Sequence, residues 1–172
     1  MSRIEVPKLD WYERYKRMVG MAYSLFMTSE MQIHADFENE EEAKPRITAL
    51  HENCSTECGD KLVKAYNLQP TVEDALKLFL LYSCEVWGYG SYEYVEADLE
   101  NENKGTFANL VCRGWELAKR QGAEEVMKMF NCANGCTAEY TALLRTLSPD
   151  LKITMTKARP WGDDRCEFTV EK

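Results

Sequence analysis

Hydrophobic spacing changes period near Gly88, and that change narrows the folds open to this chain. Before it, apolar residues recur every three or four positions, as Trp11, Tyr15, Met18, Ala22, Leu25, Phe26 and Ile33. Such spacing gathers them on one face of a long helix that Asp10 can cap. The acidic run from Glu38 to Glu42 reads as a solvated turn or helix start that ends near Pro45. A second helical region follows from Arg46 to Tyr66, with a bend or restart expected at Gly59, where an interior glycine costs about 1 kcal/mol relative to alanine. Pro70-Thr71-Val72-Glu73-Asp74 opens a third helix, with Thr71 as cap and the acids near its positive end. It carries Ala75, Leu76, Phe79, Leu80 and Cys84 inward and stops before Gly88.

Beyond Gly88 the apolar residues alternate. Tyr92, Tyr94 and Ala97 suggest a half-buried strand, Asn101 to Gly105 a turn, and Phe107, Leu110 and Cys112 a second strand. Helical pattern returns from Trp115 to Gln121, breaks at Gly122, and resumes from Ala123 to Leu147 with an interruption at Asn134-Gly135. Ser148-Pro149-Asp150 closes that stretch. A second hairpin follows, with Leu151, Ile153 and Met155 in one strand and Cys166, Phe168 and Val170 in the other. The expected fold is α+β, one domain over residues 1–172. A helical part (1–87) precedes a part (88–172) whose two hairpins form an antiparallel sheet of about four strands, with helices packed on one face.

A length of 172 residues is enough for one sizeable core. The formal net charge of -8 repels phosphate backbones, and no Lys/Arg cluster interrupts it, so neither nucleic acid nor an anionic membrane is an expected partner. The charged start, MSRIEVPKLDWYERYKRM, is unlike a secretion signal, and no apolar stretch spans a bilayer. A cytoplasmic location is expected. There an odd count of seven cysteines points to thiols, metal ligands or a catalytic sulfur rather than a disulfide framework. The expected partner is a small-molecule substrate or ligand, with a homodimer also open.

Three cysteine constellations carry candidate chemistry. His51-x2-Cys54-x3-Cys58 shares one helical face, which would suit a soft metal, although structural zinc motifs use tighter loop spacings and two packed cysteines beside an unrelated histidine fit better. Cys132-x3-Cys136 lies one turn apart near Asn134-Gly135, where a local loop would free backbone donors. Gly162-Asp163-Asp164-Arg165-Cys166-Glu167-Phe168 turns tightly and sends Cys166 and Phe168 to the covered face. Cys112, at a strand-to-helix junction, often opens onto a pocket. Trp87, Tyr92 and Tyr140 are candidate substrate contacts, although aromatics at such junctions also serve as core. A serine triad finds no G-x-S-x-G elbow and only His34 and His51, and no Rossmann or P-loop glycine pattern occurs.

In order and spacing, Phe107-Ala-Asn-Leu-Val-Cys112, Cys136-Thr-Ala-Glu-Tyr140, Ser148-Pro-Asp-Leu151 and Gly162-Asp-x-x-Cys166-x-Phe168 resemble the L-2-amino-thiazoline-4-carboxylic acid hydrolase family. The resemblance implies a hydrolase that opens a C–N bond in a small cyclic thiazoline or amide amino acid. It points to Cys136, Cys166 and Cys112 as the site, with Cys136 as nucleophile or ligand and Asp163 and Glu139 as candidate proton-transfer groups. The closing hairpin is also similar to 4-vinyl reductase domains, which implies the alternative of a non-catalytic small-molecule or metal-binding sensor. Zinc or iron would then sit at Cys132, Cys136 and Cys166, or at His51, Cys54 and Cys58. Met155-Thr-Lys-Ala158 stands where the vinyl-reductase zinc pattern places E-x-x-C.

Overall fold

The structure, a computed structural model, describes residues 10–36, 40–86, 94–122, 124–125, 128 and 135–172. Helix α1 (Trp11–Asp36) leads into α2 (Glu40–Tyr66) and α3 (Val72–Leu81). A wider π-turn (Tyr82–Val86) extends α3. Strands β1 (Val95–Asn101) and β2 (Lys104–Asn109) form the first hairpin. Helices α4 (Arg113–Gln121) and α5 (Thr137–Leu147) follow, then the second hairpin of β3 (Lys152–Lys157) and β4 (Cys166–Glu171).

The two hairpins join through β2 and β4, giving a four-stranded antiparallel sheet in the order β1-β2-β4-β3. Register places Phe107 opposite Phe168 and Asn109 opposite Cys166. Phe107, Asn109, Cys166, Phe168 and Val170 therefore share the covered face, as the period of two requires. Helices α3 and α5 lie over that face. Phe79 of α3 meets Phe107 with ring centroids 5.5 Å apart, and Tyr140 of α5 meets Phe168 at 4.7 Å. Phe79, Phe107 and Phe168 are each at least 99% buried, and fully burying a side chain of this size contributes about 1.5–3 kcal/mol.

The α+β class, the two hairpins and the helical cover agree with the pattern in the sequence, and several local expectations change. Helix α2 starts at Glu40 and runs through Pro45, which lies in its second turn. There the missing N–H removes one bond, and the rest of the ladder continues. Nor does α2 break at Gly59. That glycine is buried where α5 crosses, and a Cβ there would stand 2.6 Å from Thr146 Oγ1. Close packing, rather than a bend, explains the residue. Gly105 has the same role under α3, since its Cβ would meet Leu76 Cδ1 at 2.7 Å.

Thr71 caps α3 as expected, its hydroxyl accepting from the Asp74 amide at 3.1 Å. Strand β1 begins only at Val95, so Tyr94 precedes it and is exposed, and Tyr92 lies outside the described residues. Leu110 and Cys112 lie beyond the end of β2, where the chain turns into α4. Among the described residues no helix is long and apolar enough to cross a membrane.

Candidate functional site

Cys112 ends the link from β2 and caps α4, its sulfur accepting from the Trp115 amide at 3.4 Å. Cys166 opens β4, directly across the ladder from Asn109. Cys136 sits immediately before α5. These three elements converge, so that Cys112 donates a hydrogen bond to Cys166 and feels the charge of Cys136. That bond, followed by burial, pushes the Cys112 thiol well above its ordinary pKa. At neutral pH Cys112 is therefore a donor rather than a thiolate nucleophile.

Beside the sulfurs lies an uneven polar group. Asn109 Nδ2 donates to the Tyr140 hydroxyl at 2.9 Å, which stands 3.4 Å from Ser83 Oγ. Burial drives the Tyr140 hydroxyl up from its usual pKa, so it stays neutral. Asn109 Oδ1, by contrast, is buried without a hydrogen-bond partner among the described residues, although Asn109 as a whole is only 7% exposed. An unmatched buried acceptor costs about 1–3 kcal/mol, so an occupant bearing an N–H or O–H would be favoured there. Asn109 was legible as an anomaly, a polar residue in step with core-facing Phe107, but no motif contains it.

The remaining candidates separate from this group. Glu139 turns to α2, where its Oε2 lies 2.8 Å from His51 Nδ1, both side chains over 90% buried. Phe26 packs edge-on against the His51 ring at 4.9 Å. Asp163 closes the β3–β4 connection, its Oδ2 accepting from the Ala158 amide at 2.8 Å. Tyr140 lies in the aromatic core between α3 and the sheet. Trp87, Tyr92 and Cys132 are outside the described residues. The proton-transfer pair thus meets other partners: Glu139 serves the α2–α5 contact and Asp163 a turn.

Cys54 and Cys58 form a second thiol group on α2, and their side chains hydrogen-bond to each other. Cys54 is held protonated as the donor, and burial raises it further. Accepting that bond lowers Cys58 to about 7. Such a pair loses its first proton readily and its second with difficulty. Tyr82 approaches from the π-turn, bonding to Cys54 and, at 3.1 Å, to Ser55 Oγ. His51 Nδ1 is directed at Glu139, and among the described residues no three His, Cys, Asp or Glu side chains are arranged to hold a metal ion. His51, Cys54 and Cys58 are thus not arranged as a three-ligand set, and the set of Cys132, Cys136 and Cys166 lies partly outside the described residues.

No family model matches this chain, and no curated protein matches its sequence. Among solved structures, it is similar to trafficking protein particle complex subunit 3 from Naegleria fowleri, covalently bound to palmitic acid. The TM-score is 0.57 at 11% identity, over 91% of this chain and 95% of that one. What the two share is the fold.

Proposed function

We propose that this chain is a small-molecule-binding domain, close to the sensor alternative, rather than a cysteine hydrolase. The observation that carries the reading is the buried, unmatched Asn109 Oδ1 beside the thiols of Cys112 and Cys166. An open buried acceptor suits recognition of an N–H or O–H group, and the neutral Cys112 thiol nearby adds no competing charge. Hydrolysis asks for more: an activated nucleophile and a proton carrier within reach. Cys112 is held as a thiol, and the proton carriers that the resemblance would supply to Cys136 (Glu139 and Asp163) are engaged by His51 and the Ala158 amide.

Two ligands frame the test. The thiazoline amino acid of the hydrolase resemblance offers N–H donors for Asn109. Palmitic acid, bound covalently in the structural neighbour, offers an apolar chain and, as the free acid, a hydroxyl donor. Melting temperature is measured with each at saturating concentration, alongside assay of the mixture for ring-opened product. A rise of several degrees with one of them, absent in Asn109→Leu and without turnover, is expected. Product formation overturns the binding reading in favour of hydrolysis. A rise that persists in Asn109→Leu moves the ligand away from this site, and no rise with either removes both ligand classes.

A further inference from the structure

The Cys54–Cys58 pair lies outside the proposed ligand site, yet its chemistry is specific. The two sulfurs stand one helical turn apart on α2 and already share a hydrogen bond, so they are within bridging reach. Both are half-buried, with exposed Asn53, Thr56 and Glu57 around them. Among the described residues, no set of three ligating His, Cys, Asp or Glu side chains forms around them.

Coordination number then selects the ion. Zinc at a structural site takes four protein ligands, and calcium and magnesium take oxygens. Two soft sulfurs, with no third ligating side chain set beside them among the described residues, suit a soft monovalent cation that accepts two ligands. The geometry points to a two-thiolate site at Cys54 and Cys58 for a soft monovalent cation of the copper(I) class. Binding forms two metal–sulfur bonds and releases one proton from each thiol to solvent, leaving a bis-thiolate complex of charge minus one. Lys61, whose charge acts on Cys58, offsets that charge, while Glu57 and Glu139 oppose it.

The test uses the full chain, reduced and free of oxygen, titrated with copper(I) in competition with bicinchoninate. One copper(I) per chain is expected, with a two-sulfur environment by copper-edge X-ray absorption. Cys54→Ser and Cys58→Ser should each weaken binding by more than the about 10–100-fold typical of losing an outer-shell partner. Cys54→Ala and Cys58→Ala serve if a serine disturbs the helix, with circular dichroism confirming the fold. Cys84→Ser, outside both thiol groups, should bind as the parent does. Copper retained by the Cys54/Cys58 double variant, copper lost in Cys84→Ser, or zinc held by the pair at matching affinity would each overturn the site.

Discussion

The two thiol groups are assembled by opposite means. Cys54 and Cys58 meet through the repeat of one helix, four residues apart on α2. Cys112, Cys136 and Cys166 meet only because a strand end, a helix start and the second hairpin converge. Their surroundings differ as well. The helical pair borders the polar contact of His51 with Glu139, whereas the convergent trio borders the aromatic core through Asn109 and Tyr140. Helix α5 serves both, turning Glu139 to one side and Tyr140 to the other. What each group is packed against thus sets the direction in which its thiols are shifted. A shared proton lowers Cys58, and a donated bond with burial raises Cys112.

The comparison is broken most severely at Glu139. Glu139→Ala removes the buried hydrogen-bond partner of His51 and should cost up to about 3 kcal/mol of unfolding free energy in urea. Glu139→Gln keeps an acceptor and should cost less. In the folded fraction of either variant the reactivity of Cys58 should change while that of Cys112 stays low. Equal changes at both would dissolve the division.

Tyr140→Phe probes the other side. Losing the hydroxyl strips Asn109 Nδ2 of its acceptor and should cost about 1–3 kcal/mol. Cys54 and Cys58 should label with iodoacetamide as before, read by mass spectrometry of the folded protein.

The gentlest test changes only pH. Because Cys58 is lowered to about 7, its thiolate fraction grows as pH rises through that value. Its alkylation rate should climb between about pH 6 and 8 and then level, where an ordinary cysteine, with a pKa of about 8.5, would still be climbing. Cys112, raised instead, should remain slow throughout that range. Matching pH profiles would show that packing does not separate the two groups.

Much of the fold was legible because it follows short-range rules. Thr71 caps where its hydroxyl can reach the Asp74 amide, and the inward parity of Cys166, Phe168 and Val170 follows from the pleat. Cys112, Cys136 and Cys166 lie far apart along the chain, and only the convergence of their elements, which no spacing reveals, brings them together. Spacing alone did not reveal which neighbours Glu139 and Asp163 would choose, because those partners are set by how α5 crosses α2 and how the last turn closes. Gly59 shows the same limit. Within its helix it looks like a weak point, and only the approach of Thr146 makes it a contact.

Strand order also sets a tempo. Each hairpin closes over a short connection and can zip within microseconds once its turn forms. The β2–β4 ladder must instead wait for the chain between Asn109 and Cys166, α4 and α5 included, to fold back. Closing so long a loop lowers chain entropy before any contact rewards it, which slows the step. Cys54 and Cys58 therefore become neighbours as soon as their helix winds, while the floor of Asn109, Cys112 and Cys166 appears only with the last strand pairing. During synthesis and refolding the molecule passes through an interval in which one thiol group is complete and the other does not yet exist.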